Sequence, residues 1–293
     1  MRLHIDEKPK VGPLRFSTYL SDYSETTSPR SILKQSGMEF DHFRPYRPDH
    51  DDARYIDWIA SARVDDTLVR VFSENTVLNV LLMLDVSESM IYGTVSKAKI
   101  EYAIELVINL AFGILAYGDS VSLIIYNDDV VTYVPFAVGD RQFATIKDVI
   151  LQNKTYGGEL DFSKATAFAV EKMKNTHLMI MISDFLGYGR TLFDNIESIA
   201  HHFDILGIMV HDKSDLTLKD APRNAVFSDP YSDEFEGVAL KKVVEHYEEA
   251  NKARIKDIQN FFMAIEKDFW TLSTEDSIKK RIPELLVTRS ELK

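Results

Sequence analysis

Asp85, Ser87 and Ser89 stand at alternate positions directly after an apolar run that extends from Val77 to Leu84. In an extended loop, side chains at i, i+2 and i+4 point to one side, so three oxygen-bearing groups can converge. A hard cation such as Mg²⁺ takes oxygen ligands at octahedral angles, and this spacing offers them. Asp and Ser at the end of a strand also turn the chain and cap the next helix. From these residues alone, both readings stand. A later apolar run, Leu178-Met179-Ile180-Met181-Ile182-Ser183, again finishes on an acid, Asp184.

The elements that must position these residues follow from hydrophobic period. A Val- and Leu-rich run with no polar alternation suits a strand covered on both faces, as in parallel α/β sheets, where ligands bind beyond the carboxyl ends of strands. Leu68–Glu74 alternates like a strand and reads as a hairpin partner beside Val77–Leu84, giving the sheet an antiparallel edge. Ser96–Tyr117 carries a helical apolar stripe ending at Gly118. Ser120–Tyr126 and Val130–Pro135 read as strands, Gln142–Leu151 and Asp161–Met173 as helices. Helix Leu192–His201 and strand Asp204–Val210 add another βα unit. Residues 223–239 read as a hairpin insertion, Leu240–Ile265 as a long helix packed on the core, and Phe269–Leu272 as a last strand. A terminal helix over Ser277–Leu286 is expected to be interrupted at Pro283.

Before the first buried run, residues 1–35 show no sustained period and read as an arm that wraps the domain or stays mobile. Residues 36–76 read as a wrap followed by the hairpin strand; the stretch from Ser36 to Trp58 is too rich in Pro, Arg, Asp and aromatics for a regular element. It serves as a structural wrap or as a ledge for a partner. Residues 77–293 form the α/β domain, with the insertion and the long C-terminal helix.

A formal charge of −12, of which −10 falls after residue 80, argues against a general nucleic-acid surface. With no cysteine, any metal must be held by oxygen or imidazole. No stretch reads as a membrane span or a signal peptide, so a cytoplasmic protein is expected. The histidines lie in no catalytic motif; His201-His202 suits a helix end, and Trp58 and Trp270 suit packing. No G-x-x-x-x-G-K-[ST], H-E-x-x-H or G-x-S-x-G is present.

An apolar strand, D-x-S-x-S, a long helix, a Gly-Gly loop and a strand ending in Asp together resemble the von Willebrand factor A fold with its metal-ion-dependent adhesion site. Arg44-Pro45-Tyr46, Asp51-Asp52, Ile56-Asp57-Trp58, Ser61-Ala62-Arg63 and Leu68-Val69-Arg70 resemble a prokaryotic family of unknown function that has such a domain and is commonly encoded beside MoxR-type AAA+ ATPases. Where that family usually places Gly before Asp51, this chain has Asp49-His50. The resemblance implies a mostly parallel sheet flanked by helices. It implies Asp85, Ser87, Ser89 and Asp184 as ligands of Mg²⁺, with Mn²⁺ as an alternative, and a partner's Asp or Glu completing the octahedron. The second loop should supply a Thr after the glycines. Here it reads Gly157-Gly158-Glu159-Leu160-Asp161, so Glu159 is the expected substitute, with Thr155 or Asp161 as alternatives. Glu159 also suits a solvated place at a helix start.

Two functions follow. One is a non-enzymatic interaction module that grips a protein partner or client and works with a MoxR-type ATPase in assembly or maturation of complexes. The other is Mg²⁺-dependent phosphoryl transfer with Asp85 as nucleophile. That chemistry normally needs a second Asp two residues on, where Ser87 stands, and a Ser hydroxyl is a poor general acid near neutral pH.

Overall fold

The structure, a computed structural model, describes residues 5–14, 16, 38–47, 51, 53–64, 66–74, 77–93, 97–153, 155–186, 190–217, 224–228, 235–239 and 244–291. Ser36, Gly37, Asp49, His50, Asp52 and Gly187, together with 24–29 and the start of the long helix at 240–243, lie outside the described residues. The chain forms two compact units, Ser21–Val77 and the remainder.

The larger unit is built on a six-stranded sheet. In chain order its strands are β3 (Asn79–Asp85), β4 (Ser120–Tyr126), β5 (Val130–Ala137), β6 (Leu178–Ser183), β7 (Asp204–His211) and β10 (Asp268–Ser273). Their spatial order is β10-β7-β6-β3-β4-β5, parallel throughout except for β5, which pairs antiparallel with β4. Counted within the sheet from β5, this is the doubly wound order 3-2-1-4-5-6. The mixed α/β architecture expected from the sequence, a mostly parallel sheet flanked by helices, is therefore present.

The apolar run of β3 fills both faces. Val80, Leu82 and Leu84 point into one core with helices α3 (Lys99–Tyr117), α4 (Gly139–Gln152) and α8 (Ile278–Glu291). Leu81 and Met83 point into the other, against α5 (Phe162–Lys172), α6 (Arg190–Ala200) and α7 (Val244–Ala264). Each such side chain contributes about 1.5–3 kcal/mol on full burial, which is why a polar residue has no place in the run. His177 and Asn79 clamp the start of this strand: the Asn79 N–H donates to His177 Nδ1 at 2.9 Å, and the His177 N–H donates to the Asn79 carbonyl at 2.9 Å.

Helix α3 is buried nearly all round, not along one stripe. It is covered by residues 5–14 and 16, of which Val11, Leu14 and Phe16 join the core. The arm steps along the helix turn by turn: Asp6 N–H to Glu105 Oε1 at 2.8 Å, Lys10 N–H to Asn109 Oδ1 at 2.6 Å, and Leu14 N–H to the Gly113 carbonyl at 2.9 Å. Gly113 is required for this approach, since a Cβ there would lie 2.3 Å from Leu14 Cγ. Glu105, buried at the seam, is neutralised by Lys97 at 2.6 Å and Lys10 at 3.4 Å.

The unit Ser21–Val77 contains β1 (Met38–Pro45), a 3₁₀ turn (Ala53–Tyr55), α1 (Trp58–Val64) and β2 (Leu68–Glu74). Its order comes from carboxylates. Asp51 takes a bidentate bond from Arg44 and a third from the Arg47 N–H. Asp57 caps α1 through the Ile59 and Ala60 N–H groups, both at 3.0 Å, and receives Arg70 Nε at 2.7 Å. A separate hairpin, β8 (Asn224–Ser228) with β9 (Phe235–Ala239), forms the expected insertion.

Three expectations are corrected. β2 pairs with β1, not with the central strand; both edges of β3 are taken by β4 and β6, and the antiparallel edge is β5. The stretch expected to hold no regular element contains β1 and the 3₁₀ turn. Helix α8 continues past Pro283 to Glu291, with Ile278 and Ile282 both anchored in the core, so packing outweighs the proline's local cost.

Candidate functional site

The switch point of the sheet lies between β3 and β6, the place where ligands bind in such folds. Asp85 ends β3, and Asp184 follows β6 directly. After Asp85 the chain turns, with the Val86 N–H bonded to the Tyr126 carbonyl at 2.9 Å, and enters a four-residue helix, α2 (Glu88–Ile91). Ser87 occupies the cap position of α2 but makes no side-chain capping bond. Its hydroxyl lies 3.3 Å from that of Ser89, which donates to Asp184 Oδ1 at 3.1 Å. Thus the structure joins Ser87, Ser89 and Asp184 in one chain of oxygens.

Asp85 is engaged at both oxygens: the Ser87 N–H donates to Oδ1 at 2.8 Å and the Ser183 hydroxyl to Oδ2 at 2.6 Å. Burial, followed by the charge of Asp184, pushes its carboxyl up to about 7 against the pull of those hydrogen bonds. Burial, reinforced by Asp85 and Asp184, also holds the Tyr126 phenol well above its ordinary value. The Tyr126 hydroxyl is itself buried without a hydrogen-bond partner among the described residues. The cluster is short of positive charge.

Lys99, at the first turn of α3, supplies some of it. Its Nζ lies 2.7 Å from Asp184 Oδ2 and 3.3 Å from Asp215 Oδ2, and the residue is 1% exposed. Burial alone would lower its pKa, but the Asp184 and Asp215 carboxylates outweigh that and leave it raised. The turn after Asp184 is held tightly. Phe185 takes a left-handed φ of 51° with its ring buried among Phe162, Phe262 and Phe269, while its N–H bonds to Ser183 Oγ and the Leu186 N–H to Asp184 Oδ1. A non-glycine residue in that region carries strain that the surrounding packing must hold.

The second loop meets the first through backbone. The Gly157 N–H donates to the Val86 carbonyl at 2.8 Å and the Glu88 N–H to the Gly158 carbonyl at 2.9 Å. Both glycines have positive φ, 101° and 89°, and a Cβ on Gly157 would strike Glu88 Oε2 at 2.5 Å. Its side chains are directed elsewhere. Glu159 is exposed and makes no hydrogen bond or ion pair with the described residues; Thr155 is also exposed; Asp161 caps α5 through Ser163. The expected substitute ligand is therefore not brought into the buried cluster, because the glycines turn the chain before it.

Oxygen donors from Asp85, Ser87, Ser89 and Asp184, buried with Lys99 as the one cation seen against them among the described residues, fit a hard cation in type. Among the described residues, no group of three or more His, Asp or Glu is placed to hold a metal, so such an ion would depend on two carboxylates and two hydroxyls. Sequence reasoning missed Lys99, Ser183 and Asp215. A lysine at i−4 from Ala103, on the apolar stripe of α3, was the one signal available for Lys99.

Residues 42–256 match the family described as "Protein of unknown function DUF58". The chain belongs to that family. The DUF58 chain is 27% identical over 191 residues to the uncharacterized protein Rv1480 of Mycobacterium tuberculosis, covering 64% of this chain and 60% of that one. It thus spans 60% of the length of that curated relative. Similar solved structures include the conserved hypothetical protein BatB from Bacteroides thetaiotaomicron (TM-score 0.44, 14% identity, 74% of this chain and 100% of that one). An aerotolerance-related membrane protein from Bacteroides fragilis gives 0.48, 17%, 72% and 99%, and a von Willebrand factor type A protein from Catenulispora acidiphila gives 0.39, 16%, 63% and 43%.

The expectation of a cytoplasmic protein without a membrane span is corrected. One of these similar structures is that of a membrane protein, and α3 of the DUF58 chain is itself long and apolar enough to cross a membrane by length and composition. In this structure α3 is core, 83% buried over its most apolar window.

Proposed function

We propose that this DUF58 chain is a non-enzymatic protein-interaction module whose contact point is the Asp85–Asp184 end of the sheet. Asp85, Ser87, Ser89 and Asp184 would hold Mg²⁺ or Mn²⁺, and a protein partner or client would offer an Asp or Glu to it. A MoxR-type AAA+ ATPase is the proposed working partner, in assembly or maturation of protein complexes, on the resemblance of the Arg44, Asp51, Asp57 and Arg70 motifs.

The observation that carries the reading is the convergence of two strand-end acids and two hydroxyls at the switch point, where burial and then the charge of Asp184 raise the Asp85 carboxyl. When bound, a divalent ion supplies a Lewis-acidic position for a carboxylate. The chain's own residues do the rest: Ser183 and the Ser87 N–H orient Asp85, and the Leu186 N–H orients Asp184. All four proposed ligands are at most 1% exposed, so a partner's acid reaches them only when the loops around them part. Phosphoryl transfer by Asp85 gains no support, because Ser87 stands where that chemistry normally needs a second Asp.

Calorimetric titration of Mg²⁺ and Mn²⁺ into the metal-stripped protein and into Asp85→Ala tests the site. Saturable binding that vanishes in the variant is expected. Pull-down of a MoxR-type ATPase by the wild-type chain and by Asp85→Ala, each with Mg²⁺ and with a chelator, tests the partner. Retention indifferent to both would overturn the proposed contact point.

A further inference from the structure

We infer that Lys99 is the resident counter-ion of the cluster, and that a divalent ion loads the site only by taking Asp184 from this lysine. The inference rests on the metal reading above and adds the residue that governs loading.

An ammonium that is 1% exposed must be paired, since an unpaired buried charge keeps its desolvation penalty uncompensated. Lys99 meets that need with two acids from separate loops, Asp184 and Asp215. Lys97, two residues earlier on the same chain, shows the ordinary alternative: it is 31% exposed and pairs with Glu105 at the arm seam. Lys99 instead points inward to the switch point.

The oxygens of Asp184 are divided. Oδ1 accepts from the Ser89 hydroxyl and the Leu186 N–H; Oδ2 is held by Lys99. Ammonium and divalent ion are both cations seeking the same carboxylate in a poorly solvated space, where like charges repel strongly. One therefore excludes the other from Asp184, and Asp215 gives the displaced lysine an acid to keep.

Asp215 connects this exchange to the rest of the unit. It closes the 3₁₀ turn Lys213–Asp215, where its Oδ2 also accepts from the Asp212 N–H at 2.8 Å. The Tyr247 hydroxyl donates to the Ser214 carbonyl at 3.0 Å, and Thr217 donates to Glu248. Tyr247 and Glu248 lie on α7, so the turn that carries Asp215 is tied to the first turns of that helix.

The test is Mn²⁺ binding, followed by electron paramagnetic resonance and calorimetry, in metal-stripped wild type, Lys99→Met and Asp215→Asn, with circular dichroism confirming that each is folded. Lys99→Met is expected to bind Mn²⁺ at least about tenfold more tightly than wild type. Asp215→Asn, which leaves Lys99 no second acid, is expected to bind it more weakly. Wild-type binding that is unchanged or weakened in Lys99→Met overturns the inference and leaves the metal reading standing. Binding in Asp215→Asn as tight as in wild type also overturns it, and serves alone if Lys99→Met does not fold. Absence of Mn²⁺ binding in both wild type and a folded Lys99→Met overturns the inference and the metal reading together.

Discussion

At the scale of single residues, the cluster is a place where burial and like charge act against one carboxyl. Asp85 has a folded pKa raised to about 7, so in the metal-free protein it favours the protonated form. A carboxyl raised in the native state adds stability that is full below its unfolded value, about 3.9, and is lost as pH climbs through the folded value. Metal-free wild type should therefore lose stability between about pH 4 and 7 on account of this group. Asp85→Asn should remove that slope and unfold at higher urea than wild type at pH 8, while losing Mg²⁺ binding; urea melts across pH would show it. Ser183→Ala deletes a donor to Asp85 and an acceptor for the Phe185 N–H, and should cost about 1–3 kcal/mol. It should also move the Asp85 titration higher still, which carbon-detected NMR of the carboxyl would read. Little of this could be seen in the sequence. Asp85, Ser87, Ser89 and Asp184 announce themselves by following apolar runs, whereas a lysine in the first turn of a helix ordinarily faces water. Only the fold, by setting the end of β6 beside the start of α3, makes Lys99 part of the site.

Elements carry the next set of consequences. The central strand was legible because Val80 to Leu84 must be apolar on both faces, and its two-sided burial is what the sequence pattern encodes. Strand pairing was not legible, because β2 and β5 both look like edges and the choice between them is made by partners distant in sequence. The same holds for Glu159, where two left-handed glycines decide which way the following side chain points. Two tests belong here. Gly113→Ala drives a Cβ into Leu14 with the Gly12 carbonyl at 3.0 Å behind it, and should cost about 1–3 kcal/mol in denaturant melts while exposing residues 5–16 to protease. His177 accepts the Asn79 N–H as a neutral ring, and burial holds its pKa below 6.5 despite nearby Asp119. The unfolded chain then takes up the proton first, so stability should fall as pH drops from about 6.5 toward the lowered folded value. The urea midpoint of wild type should fall with pH over that range while that of His177→Gln stays flat; equal slopes would show that this proton does not matter.

Across the whole molecule, the two compact units call for separate measurements. Asp57 organises its own unit, capping α1 and receiving Arg70, and those bonds hold its carboxyl below the usual range, the Ala60 N–H foremost. Asp57→Ala should loosen this unit, seen as faster amide exchange over α1 and β2 with β3 and β6 unchanged. Here the sequence was partly legible: Arg44, Asp51, Asp57 and Arg70 stood out as a motif, and the structure shows them as two carboxylates gathering backbone and guanidinium groups. The arm was harder to place, since Val11, Leu14 and Phe16 follow no period and find their order only on α3. That docking has a consequence for synthesis. Asp6 and Lys10 each bond to residues 99 positions later in the chain. On the ribosome the strap emerges long before the helix it covers, and α3 emerges as a bare apolar rod. From its own emergence until the waiting strap and the sheet bury it, α3 presents hydrophobicity-reading factors with a segment of membrane-spanning length and composition.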